Sequence, residues 1–125
     1  MLEKLILYIE DNFHNRRLVQ KVLNAQGYTV LLAEDGTEGL QMVQERRPQV
    51  LLLDISLPGI DGLQVAAQVK ANPLLKGIYI IALTASAMVG DRERFLLAGC
   101  DDYLSKPLQV TELIEKVNRY FSSHS

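Results

Sequence analysis

The sequence has a single cysteine, Cys100, among 125 residues, so neither an internal disulfide nor a cysteine-built zinc site is available to it. It also lacks an excess of one charge: 13 Lys+Arg stand against 15 Asp+Glu, a formal net charge of −2. That balance argues against non-specific attraction to nucleic acid or to an anionic membrane surface. No apolar run approaches the roughly eighteen residues of a membrane span, and Met1-Leu2-Glu3-Lys4-Leu5 brings in an acid too early for a signal peptide. Internal repeats, low-complexity stretches and linkers are missing too, and only Ser122-Ser123-His124-Ser125 reads as a loose tail. What remains is one domain over 1–125 with its core over about residues 4–121, a size that buries roughly two-thirds of its unfolded surface without staples. The lone thiol fits a reducing, cytoplasmic setting.

Four short apolar runs stand out: Leu5 to Ile9, Val30 to Ala33, Val50 to Leu53 and Ile78 to Leu83. They are too short for core helices and do not alternate apolar with polar, as strands buried on both faces of a parallel sheet read. Between them the spacing predicts helices over Asn12 to Gln26, Thr37 to Arg46, Leu63 to Ala71 behind an Asp61 N-cap, Ala87 to Ala98 and Val110 to Phe121. In the third of these, Leu63, Ala66, Ala67 and Lys70 are read as the inward side. Asp102 to Ser105 supplies a fifth strand with the weakest pattern. Five strands alternating with five helices imply right-handed crossovers and a doubly wound α/β fold with helices on both faces.

In such a sheet, ligands bind at the carboxyl ends of the strands, so the residues after each run carry the interest. These are Glu10-Asp11, Asp54, Thr84 and Lys106-Pro107. Each has an ordinary reading alone: Asp11 as a helix N-cap, Asp54 opening a turn before Leu57-Pro58-Gly59, Thr84 as a strand residue, Lys106 as a solvated lysine. Those readings are independent of one another, whereas a shared site explains all of them together. Three clustered carboxylates require a compensating cation or raised pKa values. Mg²⁺, a hard ion that takes one or two carboxylates and keeps several waters, fits them. Carboxylate, Mg²⁺, lysine and hydroxyl together form the set needed to accept a phosphoryl group.

Four phrases in this order resemble the CheY-like response-regulator receiver domain over nearly the whole chain: Ile6 to Asn12, Leu53 to Gly62, Ala82 to Ala85, and Ala98 to Pro107. The resemblance implies a flavodoxin-like five-stranded sheet in the order 2-1-3-4-5. It implies that Asp54 is the phosphoacceptor, that Asp11 ligates Mg²⁺ directly with Glu10 acting mainly through water, and that the Ser56 backbone carbonyl is a further metal oxygen. Thr84 and Lys106 would bind phosphoryl oxygens, Tyr103 would be the aromatic switch, and Lys106-Pro107 would be a cis peptide. The small Ala85 would leave access to the phosphoryl group, and Ser86 would influence water attack. Glu10 replaces an aspartate found in many members. The wording Thr84 to Met88 and Gly90 to Arg94 is similar to stand-alone DivK-type regulators and to receivers of hybrid histidine kinases. With Met1 one step before the first strand and the end just after the last helix, a stand-alone receiver is the expectation.

The implied donor is a histidine kinase or histidine phosphotransfer protein. The implied readout is a changed surface on the fourth helix, fifth strand and fifth helix, in a monomer or a phosphorylation-dependent dimer. Three other functions compete: a degenerate receiver acting purely as an interaction module, a phosphohydrolase, and a flavodoxin-like nucleotide binder. The intact residue set speaks against the first. Ser56 stands where the second would carry another Asp, and the third lacks a glycine-rich loop after the first strand. His14 reads as a partly exposed helix histidine, and Cys100 as a small, partly buried side chain. Arg16-Arg17 and Arg46-Arg47 read as solvated helix faces, with Arg16-Arg17 flanking the site where an acidic partner surface could meet them.

Overall fold

Alternate side chains of each apolar run point to opposite faces of the sheet, and both faces need cover. The computed structural model, which describes residues 3–57, 59, 61–85 and 90–124, meets that need with helices on each side. The strands are β1 (Leu5–Ile9), β2 (Thr29–Ala33), β3 (Val50–Asp54), β4 (Tyr79–Thr84) and β5 (Asp102–Ser105). The helices are α1 (Phe13–Ala25), α2 (Gly36–Arg46), α3 (Gly62–Ala71), α4 (Asp91–Leu97) and α5 (Val110–Ser123). All four strand pairings are parallel, in the order β2-β1-β3-β4-β5. On one face Ile6, Tyr8, Leu52, Ile81 and Leu104 pack under Val19 and Leu23 of α1 and Leu113, Val117 and Phe121 of α5. On the other, Leu7, Ile9, Leu51, Leu53, Ile80 and Ala82 pack under Val43 of α2, Val65 and Val69 of α3 and Phe95 of α4.

Several expected details shift. Asn12 is the N-cap of α1, its Oδ1 accepting the Asn15 N–H at 2.9 Å, which sets aside the ordinary capping reading of Asp11. The inward side of α3 is Gly62, Val65, Ala66 and Val69, while Ala67 is exposed. Alanine is small enough for either face, so the β-branched valines decide the packing. The Asp61 cap stands as expected and is completed by Gln64, whose side chain accepts the Asp61 N–H at 3.2 Å. Ser86 and the expected fourth-helix start at Ala87 lie outside the described residues. The Lys106-Pro107 peptide is cis. Cys100 is buried, and burial foremost pushes its thiol up to about 11, which leaves it protonated and unreactive at neutral pH. Among the described residues no helix is long and apolar enough to cross a membrane.

At the opposite end of the sheet from Asp54, Lys70 of α3 reaches Asp101 at 2.9 Å and the Ile78 carbonyl at 2.7 Å. The edge strand β5 begins with Asp102, whose carboxylate accepts two hydrogen bonds from Lys116 of α5. Nearer the carboxyl edge, Gly62 brings α3 against the end of β3. A Cβ at Gly62 would lie 2.5 Å from the Asp54 carbonyl oxygen and 2.7 Å from Ile55 Cα, both backbone atoms that cannot swing aside. Gly62→Ala is therefore expected to lower stability by about 1–3 kcal/mol, measured by urea unfolding. Unchanged stability would show that α3 can back away from β3 without loss.

Candidate functional site

Where β1, β3, β4 and β5 end, the chain turns and leaves polar side chains at one edge. Asp54 is the last residue of β3 and is 2% exposed, while Glu10 follows β1 at 1% exposed. Asp11 stands beside Glu10 at the surface. One carboxylate oxygen from each of Glu10, Asp11 and Asp54 lies within 4.8 Å of the others. Lys106, just beyond β5, brings its Nζ to 2.8 Å from Asp54 Oδ2 and 3.5 Å from Glu10 Oε1. Its backbone N–H donates to the Thr84 carbonyl at 2.7 Å, which ties the lysine's loop to the end of β4. Thr84 is itself buried, and Ala85 beside it is exposed. Ser56 donates its N–H to Asp54 Oδ1 at 2.9 Å. Tyr103 of β5 is half-buried, with its ring 6.0 Å from that of Phe95 in α4. Of the expected site residues, Glu10, Asp11, Asp54 and Lys106 thus converge, with Ser56 and Thr84 joined through backbone groups. Tyr103 stands apart, and Ser86 lies outside the described residues.

The electrostatics follow from crowding acids in a poorly hydrated edge. Burial foremost, then the hydrogen bond and charge of Asp54, push Glu10 above the usual glutamate range, and Tyr8's hydrogen bond offsets this only in part. Burial alone would raise Asp54 too. Hydrogen bonds from Glu10, Lys106 and the Ser56 N–H outweigh it and hold Asp54 below the usual aspartate range. Burial would lower Lys106, yet its hydrogen bond and charge interaction with Asp54 raise it. Glu10 thus holds its proton to higher pH than an ordinary glutamate, and Asp54 stays charged to lower pH than an ordinary aspartate. Fully ionised, the three carboxylates and the lysine leave two negative charges, which a divalent cation would cancel. An all-oxygen, carboxylate-rich donor set suits a hard ion such as Mg²⁺.

Three contributors were not legible as site residues in advance. Tyr8 of β1 donates its buried hydroxyl to Glu10 Oε1 at 2.9 Å, and Asn15 of α1 donates its side-chain amide to the same oxygen at 3.2 Å. A tyrosine in a doubly buried strand must find a partner for its hydroxyl, and Glu10 lies two residues on, on the same side of the strand. Arg16, expected on a solvated face, is buried. It donates to the Glu10 backbone carbonyl at 2.8 Å and to Glu34 at 3.2 Å.

Known proteins resemble this chain in sequence and fold. Residues 6–118 match the family described as the response regulator receiver domain. The chain is 39% identical over 119 residues to the polar-differentiation response regulator DivK of Brucella anthropi, covering 95% of this chain and 97% of that protein. Its fold matches the receiver domain of a sensor histidine kinase from Pseudomonas aeruginosa, solved with a magnesium ion coordinated in its active-site cleft. That match has a TM-score of 0.87 at 36% identity and covers 97% of this chain and 99% of the other. The chemotaxis protein CheY4 of Vibrio cholerae matches with a TM-score of 0.89 at 25% identity, over 94% of this chain and 98% of its own. With a family match over most of its length and relatives of this identity, the chain belongs to the response-regulator receiver domain family.

Proposed function

We propose that this receiver accepts a phosphoryl group on Asp54 from a phosphohistidine of a histidine kinase or histidine phosphotransfer protein. The observation that carries the reading is the meeting of the three carboxylates within 4.8 Å with the Lys106 ammonium 2.8 Å from Asp54. Asp11, Asp54 and the Ser56 backbone carbonyl would hold Mg²⁺, with Glu10 acting mainly through water. When bound, the ion supplies positive charge to the phosphoryl oxygens. An Asp54 carboxylate oxygen attacks phosphorus in line. The new O–P bond forms as the P–N bond to imidazole breaks, and the electron pair leaves on that nitrogen. Lys106 neutralises charge on the transferring group, so the protein contributes position and electrostatics.

After transfer the Thr84 hydroxyl donates to a phosphoryl oxygen, Tyr103 turns inward, and the α4-β5-α5 surface changes for a downstream partner. Ala85 keeps the approach to the phosphoryl group open, and Ser86 bears on water attack in self-dephosphorylation. The working unit is the single domain 1–125, cytoplasmic, acting as a monomer or a phosphorylation-dependent dimer, and promoting no reaction beyond its own phosphorylation and dephosphorylation.

Intact mass after incubation with Mg²⁺ and acetyl phosphate tests the assignment. The native chain is expected to gain one phosphoryl group, lost with EDTA, and Asp54→Asn none; a gain that persists in the variant would move the acceptor elsewhere. Tyr103→Ala is expected to keep that mass gain while a partner loses its preference for the phosphorylated form. Unchanged preference would remove Tyr103 from the switch.

The raised pKa of Glu10 gives a third expectation. A carboxyl raised by folding favours the native state at low pH and costs stability as pH climbs past the ordinary glutamate value. Glu10→Gln, which resembles the protonated side chain, should raise the melting temperature of the metal-free protein at neutral pH by a few degrees. The same change should erase most of the extra stabilisation that Mg²⁺ gives the native chain. A lower metal-free melting temperature would show Glu10 ionised before metal binds.

A further inference from the structure

Arg16 is a charged side chain only 8% exposed, on a helix whose next residue, Arg17, is solvent-exposed. Burying a guanidinium is costly unless its hydrogen bonds are met. Here one partner, Glu34, is 71% exposed at its side chain and so stabilises the charge weakly. The stronger bond is the 2.8 Å contact of Nη1 with the Glu10 carbonyl oxygen, which is buried. That carbonyl belongs to the peptide joining Glu10 to Asp11. Because the peptide is planar, fixing its oxygen also fixes the direction of the Asp11 N–H and Cα. The Glu10 N–H is held on its other side by the Ala33 carbonyl of β2 at 3.0 Å. The turn that carries both acids is therefore anchored at consecutive peptide groups, once by the sheet and once by Arg16. Through Glu34, which directly follows β2, the same guanidinium links this turn to the start of the β2–α2 connection.

We propose that Arg16 is a positioning residue for the acidic pair: by holding the Glu10–Asp11 peptide it keeps both carboxylates aimed at Asp54, and so sets the affinity of the site for Mg²⁺. The inference rests on the reading of Glu10, Asp11 and Asp54 as a magnesium site. The fork geometry matters as well as the charge, since two nitrogens serve two acceptors on different loops. A lysine could carry the charge but not span both.

The test is Mg²⁺ titration at one fixed pH, followed by backbone amide shifts, for the native chain, Arg16→Met, Arg16→Lys and the exposed control Arg17→Met. Arg16→Met is expected to raise the Mg²⁺ dissociation constant by about tenfold, the effect usual for groups that orient metal ligands without touching the metal. Arg16→Lys should weaken binding as well, and Arg17→Met should leave it unchanged. A lowered melting temperature with the native dissociation constant in Arg16→Met would make Arg16 a structural brace alone and overturn the proposal. Should Arg16→Met not fold, native affinity in Arg16→Lys overturns it, because charge without the fork would then suffice. Absence of Mg²⁺ binding by the native chain would overturn the metal-site reading itself, and this inference with it.

Discussion

The mutual repulsion of three carboxylates at one edge of a parallel sheet is the constraint that the rest of this molecule answers. Two of them, Glu10 and Asp54, are almost wholly removed from water, where like charges interact strongly. The chain meets this in three ways: a Glu10 carboxyl that gives up its proton less readily than usual, a lysine brought from the far side of β4, and backbone donors such as the Ser56 N–H. None of these removes the excess negative charge once Glu10 ionises. The site is thereby left receptive to a divalent cation and, through it, to a phosphoryl group.

Holding such an arrangement demands rigid walls. The strand order brings β1 and β3 side by side, with Ile9 opposite Leu53, so the acids that follow them meet across one ladder. Lys106 arrives because β5 lies next to β4, with Ser105 opposite Thr84. Beneath this edge the two apolar layers leave little slack. Gly62 lets α3 press on the Asp54–Ile55 peptide, and β3 therefore cannot drift away from the helix layer that supports it. Rigidity matters because an in-line displacement tolerates little error in position.

Much of this was legible in the sequence, and the reasons are physical. Leu5 to Ile9 and Asp102 to Ser105 fold as strands with the bounds their pattern suggests, and the first is unmistakable because every residue in it is buried. The acids, Thr84 and Lys106 were readable because parallel strands all expose their carboxyl ends at one edge. What escaped notice depended on side-chain reach across elements. Arg16 beside Arg17 looks like a solvated pair, and only the fold reveals that one of them turns under the β1–α1 connection. Asn12 and Asp11 are both good N-caps, and sequence alone does not choose between neighbours. In α3, valine and alanine at adjacent positions left the helix free by about a quarter-turn until β-branched bulk against the sheet settled it.

The edge strand β5 also has a colloidal consequence. It is four residues long, among the described residues no strand pairs with its outer side, and its first residue carries a charge clasped by Lys116. A second copy adding its own strand there would have to bring its backbone past that half-buried ion pair. Short length and a guarded charge are the features by which sheet proteins resist growing into one another. A short, charged margin of this kind offers little to sheet-on-sheet accretion at high protein concentration.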